Sequence, residues 1–148
     1  MPDRQPAVTA FVEIKRHSVE RYGADTVLDA VARTLRDASF AWVIISFVVD
    51  VVSLAKAKLG CPIGWVLREY DAPSRAAAQG LAPDYLFVSA ETIPPGTDRL
   101  WPGPWRWVVY DVNEAALALT CAERGCGLVE TDDLDALIGH PSLQGHMV

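Results

Sequence analysis

Glu13 and Lys15 stand two residues apart at the end of the apolar run Ala10-Phe11-Val12-Glu13-Ile14-Lys15. Side chains alternate faces along a β-strand, so Phe11, Glu13 and Lys15 share one face while Val12 and Ile14 share the other. A carboxylate beside an ammonium at a strand's carboxyl end can hold a metal ion and a phosphate oxygen. That end carries the chemistry in parallel α/β sheets and barrels. The same pair also reads as an edge-strand salt bridge. His17, two residues beyond Lys15, could donate a proton beside the pair, histidine being the side chain suited to proton transfer near neutrality. A single imidazole does not readily fill both acid and base roles, however, and His17 reads as a loop residue. Asp111 and Glu130 fall near the ends of two later apolar runs. With Glu13 they could offer hard oxygen ligands to Mg2+ or Ca2+. Asp111 reads instead as a residue sharing the face of Val109 and Trp107, and Glu130 stays open between metal ligand and ion-pair partner of Lys15 or Arg68. Arg68-Glu69 could meet a phosphate, or be an exposed charge pair.

The elements that must position these groups alternate short apolar runs with amphipathic stretches, the βαβ signature. Strands are expected at Thr9–Lys15, Trp42–Phe47, Ile63–Leu67, Asp84–Val88, Trp105–Tyr110 and Leu128–Glu130. Helices are expected at Thr26–Arg36, with Val27, Leu28, Val31 and Leu35 on one stripe, at Val51–Leu59 before Gly60, and at Ala72–Gln79 before Gly80. A further helix runs to Arg124 with Asn113 as its cap, and one or two turns follow at Asp132–Ile138. Between Glu91 and Pro104 the density of Pro and Gly excludes a regular helix, so a loop stands where a crossover helix is expected. Trp42, Trp65, Trp101, Trp105 and Trp107 read as core or loop-packing residues, with Trp101 and Trp105 as the alternative of a sugar- or lipid-stacking platform.

At 148 residues the chain is expected to be a single domain, with a core over 9–138 and a tail over 139–148 that holds His140 and His146 and frays over Pro141–Val148. Half its residues are hydrophobic (51%), enough for a sizeable core, and the net charge of -6 argues against a nucleic-acid or anionic-membrane binder. Cys61, Cys121 and Cys126 give neither a disulfide framework nor a zinc spacing, which points to a reducing cytoplasm. Met1-Pro2-Asp3-Arg4-Gln5 lacks an apolar signal core, and Phe40–Val52, broken by Ser46 and Asp50, is too short to span a membrane.

Four motifs in order resemble the glycerophosphodiester phosphodiesterase family. They are Glu13-Ile14-Lys15, Val43-Ile44-Ile45-Ser46-Phe47, Val109-Tyr110-Asp111-Val112-Asn113 before a helix, and the turn, strand and Thr-Asp that run from Gly125 to Glu130-Thr131-Asp132. The resemblance runs from Thr9 to Ile138 and implies an α/β, TIM-barrel-like (β/α)8 fold, which typically takes ~250 residues. This chain would supply about six βα units, the third to eighth, and lack the first two strands of the family barrel. Those strands carry the family's His-Arg-Gly and Glu-x-Asp motifs, hence part of its acid/base His pair and two metal ligands; the second His follows in an excursion after the second strand. No such motif precedes Glu13.

By the same resemblance Glu13 is a metal ligand, Lys15 a phosphate-contacting catalytic cation, and Ser46, Phe47 and Tyr110 substrate-binding positions. Tyr110 stands where the family usually has Trp, and Asp111 where Thr is usual. The implied activity is metal-assisted hydrolysis of a glycerophosphodiester to glycerol 3-phosphate and an alcohol, with Mg2+ or Ca2+ as cofactor. The alternative is a catalytically silent, truncated barrel that retains at most phosphate or metal binding. Strand edges left open at Thr9–Lys15 and Leu128–Glu130 would invite homo-oligomerisation. If the register is right, Glu13, Lys15, Ser46 and Tyr110 converge at the carboxyl ends of the strands.

Overall fold

The structure, a computed structural model, describes residues 8–145. The opening residues and His146 therefore lie outside it. The chain divides into two compact units, Met1–Val66 and Leu67–Val148. Each is a parallel βα array, so the α/β class and the six expected strands are present.

The first unit holds β1 (Thr9–Glu13), α1 (Arg16–Tyr22), α2 (Ala24–Leu35), β2 (Ala41–Ser46), α3 (Val49–Leu59) and β3 (Ile63–Val66). Strand β2 pairs in parallel with β1 (Glu13 opposite Ile45) and with β3 (Ile45 opposite Gly64). Val43, Ile44 and Ile45 are β-branched and buried, as expected of a strand in a parallel sheet covered on both faces. Leu28 of α2, Val51, Val52 and Ala55 of α3, and Ile63 of β3 complete this core, each at most 1% exposed. Gly60 closes α3 in the left-handed region at φ 61°, where a side chain would be strained. Lys58 near the end of α3 donates to Asp25 (2.7 Å) and Asp29 (3.0 Å) of α2. Hydrogen bonding to Asp25 and then Asp29 holds its pKa above the ordinary lysine value. The pair is solvent-exposed and adds little stability.

Helix α1 was not foreseen. Its residues bury none of their side chains, so no apolar stripe marks it. Gly23, at φ 79°, separates it from α2. His17 consequently lies on a helix, exposed, and not in a loop.

The second unit holds α4 (Ala72–Leu81), β4 (Tyr85–Ser89), β5 (Arg106–Tyr110), α5 (Ala115–Glu123), β6 (Leu128–Val129), α6 (Leu134–Ile138) and a 3-10 turn (Pro141–Leu143). Strand β5 pairs in parallel with β4 (Ser89 opposite Tyr110) and with β6 (Val109 opposite Val129). Leu86, Val88, Val109, Val112 and Cys121 are buried at its centre. Asp71 caps α4 by accepting from the Ser74 amide at 2.8 Å; hydrogen bonding from the Ser74 side chain, and then from that amide, lowers its pKa. Asp133 caps α6 by accepting from the Ala136 amide at 3.1 Å.

Two expectations are corrected here. Asn113 does not cap α5, whose N-cap is Glu114 without a side-chain bond. Its Oδ1 accepts instead from the Thr131 hydroxyl and the Asp132 amide, both at 2.9 Å. The tail is not frayed where it is described: Pro141–Leu143 forms a turn of 3-10 helix and Leu143 is 6% exposed. The loop between β4 and β5 is irregular, as its Pro and Gly content dictates, yet Ile93, Leu100 and Trp105 anchor it in the core. A Cβ on Gly103 would lie 2.3 Å from the Trp105 ring, so only glycine fits there.

Gly103→Ala should therefore displace the Trp105 ring. The near-ultraviolet circular dichroism should change and the urea midpoint fall, by about 1–3 kcal/mol of stability, the usual cost of overpacking. Asn113→Ala should cost about 1 kcal/mol through loss of its two bonds to the turn after β6, measured by the same unfolding curve.

Candidate functional site

At the carboxyl end of the first unit, Glu13 is the last residue of β1 and Lys15 is the N-cap position of α1. The intervening Ile14 is buried (4% exposed) and donates its amide to the Ile45 carbonyl at 2.8 Å. Alternation then turns Glu13 and Lys15 to the same side, and Lys15 Nζ lies 2.6 Å from Glu13 Oε2. The Lys15 side chain is largely exposed (57%), whereas that of Glu13 is mostly covered (27%). Glu13 Oε1 is buried and has no hydrogen-bond partner. A carboxylate oxygen withdrawn from water without a donor is costly, and it is the kind of atom that a bound cation or donor would satisfy.

Ser46 ends β2 beside this pair and is fully buried. Its Oγ donates to the Ile14 carbonyl at 2.7 Å and accepts from the Val48 amide at 3.1 Å. The hydroxyl thus ties the end of β1 to the start of α3. Phe47 is half-buried, and its carbonyl accepts from Trp65 Nε1 at 3.4 Å.

At the carboxyl end of the second unit, Tyr110 ends β5, half-buried, in register with Ser89 at the end of β4. Asp111 follows at φ 63°, a left-handed conformation that Asp tolerates better than most residues. Ser89 Oγ donates to its Oδ2 at 3.0 Å and also accepts from the Glu91 amide at 3.4 Å. Glu130, just past β6, is exposed. Its amide donates to the Val109 carbonyl and its carbonyl accepts from the Val112 amide. The sequence reading passed over Ser89, although it terminates an apolar strand just as Ser46 does. It also missed the bond between Asn113 and Thr131. Arg68 and Glu69 are exposed beyond Leu67.

The tryptophans of this unit pack on one another. Tyr70 and Trp101 stack at 4.1 Å between centroids, and Trp101 and Trp105 each meet Trp107 edge-on. The Tyr70 hydroxyl accepts from the Trp101 amide at 3.2 Å, while partial burial raises its pKa. Trp105 is 7% exposed, so it fixes the loop and offers no open stacking face.

Among the described residues no group of three His, Cys, Asp or Glu side chains is arranged to hold a metal ion. Glu13 offers one orphaned oxygen, and its other oxygen is engaged by Lys15. That set does not make a Mg2+ or Ca2+ site, since those ions take six or more oxygen ligands. His17 and His140 are both exposed, and His140 Nδ1 lies 2.7 Å from the Ser142 hydroxyl. No helix among the described residues is long and apolar enough to cross a membrane.

No protein-family model and no curated protein matches the chain. Solved structures do. An Oleispira antarctica phosphodiesterase in complex with its product sn-glycerol-3-phosphate superimposes with a TM-score of 0.63 at 16% identity, covering 81% of this chain and 49% of that one. A glycerophosphodiester phosphodiesterase from Parabacteroides distasonis gives 0.61 at 15% identity, covering 82% and 52%. The chain thus spans about half the length of the structures it matches. The strands and helices described above are therefore an incomplete TIM-barrel-like α/β fold, about half of the fold seen in glycerophosphodiester phosphodiesterases.

Proposed function

We propose that this chain is the phosphate-contacting, carboxyl-terminal part of a glycerophosphodiester phosphodiesterase barrel. The observation that supports this reading most is the Glu13–Lys15 pair at the end of β1, with a buried and unsatisfied Glu13 Oε1. In this reading Lys15 contacts a phosphate oxygen through its exposed ammonium. Glu13 steers that ammonium and keeps its second oxygen for a ligand from outside the described residues. Ser46 holds the two strand ends together beneath the pair, and Phe47 next to it is a substrate-binding position. The proposed reaction is hydrolysis of a glycerophosphodiester to glycerol 3-phosphate and an alcohol. A divalent cation, Mg2+ or Ca2+, would have to draw further ligands from beyond these residues.

A second reading is a silent module that binds phosphate without turning over a diester. It is favoured by the absence of a three-ligand metal group among the described residues and by the exposure of His17 and His140. General acid–base help contributes roughly 10²–10⁴-fold to such reactions, and nothing described here is placed to give it. We propose a reducing compartment, the cytoplasm, because Cys61, Cys121 and Cys126 are free thiols.

The purified chain, assayed on glycerophosphodiesters with Mg2+ and with Ca2+, should show little or no turnover. Robust metal-dependent turnover abolished by Glu13→Ala would establish instead that other residues complete the site. Binding of sn-glycerol 3-phosphate, followed by NMR titration, should perturb the amides around Lys15 and be lost in Lys15→Ala. Glu13→Gln, which releases the ammonium from its counter-charge, should tighten that binding by up to about tenfold in the absence of metal. Equal binding in all three proteins would remove Lys15 from the site.

A further inference from the structure

A second surface belongs wholly to the second unit. An open groove of about 530 Å³ runs alongside β6, floored by Ala118 and Ala122 of α5 and by Leu128, and walled by Leu137, Leu143 and Ile138. Strand β6 pairs with β5 and with no other strand among the described residues. Three large apolar side chains of the groove's lining stand out into solvent: Val129 (39% exposed), Leu134 (58%) and Ile138 (51%). Hollow and protruding groups are thus present in one patch, the condition for an isologous contact, in which each copy offers the same surface.

Charge runs along this patch in one direction. Arg106 lies across the start of β6, where its Nε is 3.4 Å from the position a Cβ on Gly127 would occupy, so the glycine makes room for it. The guanidinium lines the groove and has no ion pair among the described residues. At the opposite end of β6 stand Asp132, Asp133 and Asp135, all exposed. When two such patches meet about a two-fold axis with their β6 strands antiparallel, the basic start of each faces the acidic end of the other. A parallel meeting would oppose like charges.

We propose that this face is a homodimer interface, in which Leu134 and Ile138 of each copy fill the β6 groove of the other and Arg106 pairs with the partner's acidic turn. The contact covers an apolar patch and a strand edge that is unpaired among the described residues, both liabilities when exposed. It stands on residues of the second unit alone.

Sedimentation equilibrium of the full chain over a range of concentrations tests it. The wild type should dimerise, more weakly at high salt. Leu134→Glu with Ile138→Glu, both at exposed positions, should weaken association about 100-fold or more with an unchanged far-ultraviolet spectrum. Arg106→Asp and Asp135→Arg should each weaken it about tenfold, and together restore it. If the double glutamate variant misfolds, this charge exchange alone decides. A wild-type monomer at every concentration, a dimer indifferent to the glutamates, or a charge exchange without rescue would each overturn the proposal.

Discussion

The buried hydroxyl of Ser46 is the contact on which the geometry of the first unit turns. It reaches the Ile14 carbonyl on one side and the Val48 amide on the other, and so fixes where β1 stops and α3 begins. With Ile14 held in the core, alternation leaves Glu13 and Lys15 no choice but to share the opposite side. A one-residue slip would bury the charges and expose Ile14. The ion pair is therefore a consequence of register, and register is set by a hydroxyl that never reaches solvent.

The second unit solves the same problem with different atoms. Ser89 ends β4 as Ser46 ends β2, but its hydroxyl donates to the Asp111 carboxylate and not to a neighbouring strand's carbonyl. Asn113 joins the turn after β5 to the turn after β6. In both units, short polar side chains at strand ends satisfy backbone groups or acids that the parallel ladder leaves over, and those bonds shape the loops.

What the sequence made legible follows from this. Strands such as Val43–Ser46 and Leu86–Val88 are dense runs of apolar residues, so their positions could be read within a residue or two. Helix α2 shows its stripe through Leu28 and Val31, whereas α1 buries nothing and carries no stripe to read. Asn113 has the right type and place for a cap, and only the tertiary approach of Thr131 diverts it. The Glu13–Lys15 contact was legible because it depends on spacing alone. The role of Ser89 was not, because its partner lies 22 residues away in sequence.

The same logic separates binding from turnover. An ammonium at a strand end attracts a phosphate by charge and needs only itself and solvent access, which Lys15 has. Hydrolysis requires a proton donor, a base and stabilisation of charge on the diester, all within about 3 Å of the reacting atoms. Glu13 cannot serve as the base while it screens Lys15, because its Oε2 is held by the ammonium and its Oε1 is shut from water. Only a group that competes with Lys15 for the carboxylate, or that donates to Oε1, would release it for other work. In the proposed reading, chemistry at this strand end waits on an added ligand, whereas anion binding by Lys15 does not.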